Sequence, residues 1–182
     1  MSGSLTLRNR QRTRGVDLRC LRRIVQALLE DTWSNETFDL AIYLVAAPEM
    51  TRLNETFLQH QGSTDVLTFD YAERVGQASR LSSSGATAGR ARDRRDACPA
   101  LLHGEIFVCL DEAVSQARRF HATWQSELVR YVIHGVLHLL GYDDRASLAR
   151  RRMKAAEDAL VRRLARQFVF RALSRPRTGS GT

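Results

Sequence analysis

No apolar run in this chain approaches the ~20 residues that a membrane-spanning helix needs, so the sequence offers no such span. The start, Met1 to Gly15, is arginine-rich but has no apolar segment behind its arginines, and it does not read as a secretory signal. Cysteine is scarce. Cys20, Cys98 and Cys109 share no metal-binding or redox spacing, and their odd number builds no disulfide framework, so a cytoplasmic, reducing compartment is expected. Lysine is nearly missing: of 28 Lys and Arg residues, Lys154 is the single lysine. At 182 residues the chain is long enough for one domain with a core that needs no covalent staples.

What is present is an uneven charge. The formal net charge is +8, yet residues 15–144 carry 13 basic and 18 acidic residues, a net −5. The surplus sits at the ends: four arginines and no acid in 1–14, and eleven Lys/Arg against Glu157 and Asp158 in 145–182. Basic ends suit a polyanion such as RNA, bound by counterion release. Solubility, or a genome's preference for arginine codons, accounts for the same charge equally well.

The most specific pattern is His134-Gly135-Val136-Leu137-His138-Leu139-Leu140-Gly141-Tyr142-Asp143-Asp144. Two histidines four apart on a helix share one face, so their imidazoles can converge on a cation. Gly141 lets the chain leave the helix and bring Asp144 back as a third ligand. Two imidazoles and a carboxylate would hold Zn2+, one per chain, and leave a coordination position open. The carboxylate also admits Mn2+ or Mg2+. The metal and catalytic residues expected are therefore His134, His138 and Asp144. The plainer alternative, two core histidines before an ordinary helix end, requires spacing, glycine and carboxylate to coincide by chance. Zinc peptidases place a glutamate directly after the first histidine to activate water. Here that position is Gly135, which leaves the metal, or a neighbouring carboxylate such as Asp143, to do so.

This segment resembles the signature of the YbeY family of bacterial rRNA-maturation and ribosome quality-control endoribonucleases, H-G-x-L-H-L-x-G-Y-D-H. It departs from it only at Asp144, where the family has His. Leu53-Asn54, then Thr64-Asp65-Val66-Leu67-Thr68-Phe69, and Gly104-Glu105-Ile106 resemble further family blocks in the same order. The resemblance covers about residues 35–160. It implies a zincin-like α+β fold, with a small mixed sheet packed by helices and a central metal-bearing helix. It also implies metal-dependent, single-strand-specific cleavage of RNA, at the 3′ end of small-subunit rRNA and in ribosome quality control. Small-subunit ribosomal proteins and an assembly GTPase are the partners it suggests. After Leu53-Asn54 the family has an aromatic followed by Arg. Here Phe57 keeps the aromatic, but Leu58 stands for the Arg and cannot contact a phosphate. His60, Arg118, Arg119 or Arg145 could supply that cation, although a loop histidine is the plainer reading of His60. His103 and His121 lack ligand spacing, and Thr64 and Asp65 are expected to shape the turn into a strand.

Patterning predicts strands at 4–9, 37–46, 66–71 and 105–110. Helices are expected after Asp17, from Pro48, from Asp111, from Ser126 as the cap of the metal helix, and over about 147–170. Residues 1–170 are expected to form a single hydrolase domain, with a mobile insertion expected at about 74–101, where large apolar residues are few, and a disordered basic tail expected at 171–182. Two readings compete with the nuclease. One is a non-enzymatic ribosome-assembly factor with a structural metal; the other is a hydrolase of a small molecule or peptide.

Overall fold

The computed structural model describes residues 3–33, 37–59, 61–72 and 101–175. His60, nearly all of the expected insertion and residues 176–182 lie outside them. Four strands form one sheet: β1 (Gly3–Asn9), β2 (Thr37–Val45), β3 (Val66–Asp70) and β4 (Leu101–Cys109), in the order β1-β2-β4-β3. β1, β2 and β4 run parallel, and β3 lies antiparallel on the β4 edge. β4 begins at Leu101, ahead of the expected Glu105, so the last residue of the expected insertion belongs to the sheet. Its extra residues pair with β2 from Thr37↔Leu101 onward.

Strand alternation divides the core. Phe38, Leu40, Ile42 and Leu44 of β2 enter the large cluster with Leu102, Ile106 and Val108 of β4. Side chains one step along, Val45, Phe107 and Cys109, join Leu67 and Met50 in a smaller cluster on the other face. The helix α2 (Ala47–Leu58) covers that face, with Pro48 in its first turn as expected. At its outer end Phe57 is 57% exposed, held edge-on to Phe69.

On the main face lie α1 (Leu18–Thr32), α3 (Leu110–Arg119), α4 (Trp124–Leu139) and α5 (Ser147–Gln167). Asp17 caps α1, accepting from the Arg19 and Cys20 N–H groups at 2.8 and 3.0 Å, and Leu21, Ile24, Val25, Leu28 and Leu29 bury its apolar stripe. The α4 cap is Thr123, whose hydroxyl accepts from the Ser126 N–H at 3.2 Å. The expected cap, Ser126, already lies inside the helix, because two residues with capping side chains stand three apart and the upstream one takes the role. α4 is buried on most sides, as befits the central helix of the fold.

The chain beyond α5 also differs from expectation. Residues 170–173 form a 3-10 turn with Leu173 wholly buried, Val16 bridges Ser174, and the Asp17 N–H bonds the Leu173 carbonyl at 2.9 Å. The stretch 171–175 is therefore part of the packed body, anchored by one leucine that its basic surroundings concealed.

Candidate metal centre

Gly141 ends α4 at φ +85, a left-handed conformation that glycine adopts without steric cost. Its N–H bonds the His138 carbonyl at 2.9 Å while the Tyr142 N–H bonds the Leu137 carbonyl at 3.0 Å. This paired closure of a helix end folds the chain back over its own last turn. The reversal puts the Tyr142 carbonyl 3.1 Å from His138 Nδ1 and brings Asp144 beside the histidines. Arg150, in the first turn of α5, fixes the turn from outside by donating to the Asp144 carbonyl at 2.9 Å.

Both imidazoles are oriented from behind. His138 Nδ1 faces the Tyr142 carbonyl, which only accepts, so Nδ1 carries the proton and Nε2 keeps its lone pair. His134 Nδ1 lies 3.1 Å from Glu157 Oε2, which sets the same tautomer. The two Nε2 atoms then meet at 3.0 Å. One ligand atom from each of His134, His138 and Asp144 lies within 4.8 Å of the others, and all three residues are half-buried. Two tetrahedral zinc ligands at about 2.1 Å from the ion stand about 3.4 Å apart, so the imidazoles need open by only a few tenths of an ångström. Two lone pairs aimed at each other with a carboxylate beside them fit a divalent ion in number, type and direction.

Glu157 is the residue that sequence reasoning missed. It is 5% exposed, and its carboxylate takes His134 on one oxygen and both Arg130 and Lys154 on the other. Burial alone would raise its pKa, but the hydrogen bonds from His134, Arg130 and Lys154 prevail and hold it at about 2. The one available signal was its rarity, as one of two acids among the basic residues of 145–182. The two histidines shift in opposite directions. Burial opposes charge on His134, yet the Glu157 hydrogen bond and the charges of Asp65, Glu157 and Asp144 raise its pKa. Burial and then the charge of His134 lower that of His138, against weaker support from Tyr142, Asp144 and Asp143.

Gly135 has a packing reason to be glycine. A Cβ there would stand 2.6 Å from Ile106 Cγ2 and 3.3 Å from Val66 Cγ1. Position 135 thus points into the sheet, where a water-activating glutamate has neither room nor reach. Asp143, weighed above as a helper, accepts the Arg145 N–H at 3.0 Å and is turned outward. Asp65 accepts from the Val66 N–H at 2.9 Å, shaping the start of β3 as expected, and its charge reaches His134.

The remaining candidates stay apart. Leu58 ends α2, 48% exposed. His103 lies on β4, tilted against Tyr71 and 3.7 Å from Asp39. His121 is exposed in the turn before α4, and the Arg145 side chain is 92% exposed. Among the described residues, only His134, His138 and Asp144 group as metal ligands.

Residues 6–165 match the family model described as Endoribonuclease YbeY. The chain belongs to the YbeY family. Endoribonuclease YbeY of Salinibacter ruber is 30% identical over 154 residues, covering 85% of this chain and 87% of that protein. The Chlorobium phaeovibrioides protein of the same name is 33% identical over 142 residues, 78% of each chain. That of Syntrophotalea carbinolica is 29% identical, over 92% of this chain and 99% of its own. A Thermotoga maritima protein solved in solution superposes with a TM-score of 0.56 at 20% identity, over 97% of this chain and 99% of that one, which shows a shared fold. With the mixed sheet and central helix, the α+β YbeY fold is the one expected. As a YbeY endoribonuclease the chain is a hydrolase acting on RNA.

Proposed function

We propose that this YbeY endoribonuclease cleaves unpaired RNA with one divalent ion held by His134, His138 and Asp144. The convergence of the two Nε2 atoms at 3.0 Å carries the reading, because each Nδ1 is already engaged by an acceptor. Zinc suits the imidazole pair, and the carboxylate leaves Mn2+ or Mg2+ as alternatives. When bound, such an ion supplies Lewis acidity toward a phosphoryl oxygen and an activated water. The chain's own residues prepare the site for it. Glu157 and the Tyr142 carbonyl fix the imidazoles, Arg130 and Lys154 balance Glu157, and Gly135 lets α4 sit close enough to the sheet to present His134 beside β3.

The substrate in this reading is single-stranded rRNA, at the small-subunit 3′ end and in defective ribosomes, acted on in the cytoplasm. Small-subunit proteins and an assembly GTPase are its partners. The domain extends through 175, beyond the boundary expected from sequence.

The test is elemental analysis of the native chain and Asp144→Ala, with cleavage of unpaired RNA measured on both. About one metal per chain and cleavage abolished by EDTA, both lost in Asp144→Ala, is the expected result. Metal-independent cleavage, or full activity in His134→Ala and His138→Ala, would refute the proposal. Leu58 favours a second reading, an assembly factor with a structural metal, since an exposed leucine stands where the family carries a cation. One metal per chain without cleavage would support it.

A further inference from the structure

The two basic ends of the sequence meet in space. The Arg175 N–H bonds the Gly15 carbonyl at 3.0 Å, Val16 and Ser174 form a β-bridge, and Gln125 Nε2 donates to Ser174 Oγ at 2.6 Å. These bonds pin the segments around Arg14 and Arg171 against the start of α4 and the end of α3. Two adjoining concavities open there, of about 640 and 460 Å³, sharing Arg14, Val114 and Arg118. Arg119 lines the first and Arg171 the second, above a floor that includes Val114, Ala117 and Trp124. All four arginines are exposed. Among the described residues none is paired with a carboxylate, whereas Arg10, Arg130 and Arg163 elsewhere all are. Asp111 is the acid in the lining, and its two oxygens already accept from Thr13 Oγ1 and the Ala47 N–H. Arg119 lies over the ring of Phe120, itself 64% exposed, which adds an aromatic face at the rim.

We propose that this arginine-lined groove is a second RNA site, which holds a single strand by its phosphates while another part of the strand occupies the metal centre. It rests on the nuclease reading above. Charge complementarity selects the occupant: guanidiniums unpaired among the described residues and gathered in a concavity attract a polyanion, and guanidinium forks match phosphate oxygens. An apolar floor with Trp124 and a rim with Phe120 suits unpaired bases better than a duplex. Geometry links the two sites. Trp124 and His134 are ten residues apart on α4, about 15 Å along the axis at 1.5 Å per residue, so a strand of a few nucleotides can span them. The groove binds without sequence preference, gives long substrates an advantage over short ones, and makes that advantage sensitive to salt.

The experiment compares Arg14→Ser/Arg118→Ser with Arg162→Ser/Arg166→Ser, which removes the same charge from exposed positions on α5. Single-stranded DNA serves as a probe that shares the phosphate backbone and resists an endoribonuclease. The groove variant should bind it about tenfold more weakly, with a log–log salt slope flatter by about 1.4, at about 0.7 per lost phosphate contact. Its KM for a long unpaired RNA should rise while kcat, and cleavage of a trinucleotide, stay unchanged. Binding and slope equal to those of the α5 variant would overturn the groove. A lowered melting temperature in the double variant would move the test to Arg171→Ser, which should reproduce a smaller loss of the same kind; an unchanged slope there would overturn it too. A native chain that binds the probe but cleaves neither RNA would strike the nuclease reading and leave the groove standing.

Discussion

At the scale of single residues, the metal centre is built as much by acceptors behind the imidazoles as by the ligands in front. Glu157 is the main one, and its replacement separates two roles. Glu157→Leu removes the partner of His134 Nδ1, and metal affinity measured against a competing chelator should fall by about 10- to 100-fold. Arg130 keeps Asp158 as a partner at 2.6 Å, so the melting temperature should change less than removal of a buried charge usually dictates. Glu157→Gln keeps an oxygen for the imidazole and should recover most of the affinity. Equal affinity in the native and Leu chains would show that His134 needs no such support. The ligands themselves were legible, because spacing, glycine and carboxylate all lie within eleven consecutive residues. Glu157 was not, because one acid in a run of arginines reads as part of a solvated face until the fold buries it.

At the scale of elements, α4 and its contact with the sheet decide where the histidines sit. Gly135→Ala would drive its methyl to 2.6 Å from Ile106 Cγ2 and 3.1 Å from Ile106 Cδ1. α4 must then ride up from β4, and denaturant unfolding should show a loss of about 1–3 kcal/mol, the usual cost of overpacking. Metal affinity should drop with it, since His134 shifts away from Glu157; unchanged stability would mean that the layers have slack. Helical periodicity made α1 and α4 readable, alternation made β1 readable, and a β-rich, mostly apolar composition made β2 readable. Strand order and direction were not, because nothing local in β3 or β4 states that one lies antiparallel on the edge of the other. The α4 start was misplaced by three residues because Ser126 and Thr123 both carry side chains fit to cap, and only tertiary packing chooses.

At the scale of the whole molecule, the charge asymmetry of the sequence changes meaning once the chain is folded. Two basic segments, separate in sequence, become neighbours where Gly15 meets Arg175, and no local pattern announces that. The bridge between Val16 and Ser174 that joins them also bears on the order of events in folding. The metal ligands lie within one helix and the turn after it, a short loop to close, whereas the clasp must close nearly the full length of the described chain. In refolding from denaturant, uptake of metal should therefore run ahead of the docking of Ser174 into the concavity it shares with Trp124, followed by Trp124 fluorescence in a Trp33→Phe chain. Simultaneous appearance of both signals would show a single concerted step. If the order holds, newly folding molecules pass through a stage in which they already carry the ion but cannot yet grip a long strand, so that full-strength cleavage of long RNA is deferred until the last contact in the chain has formed.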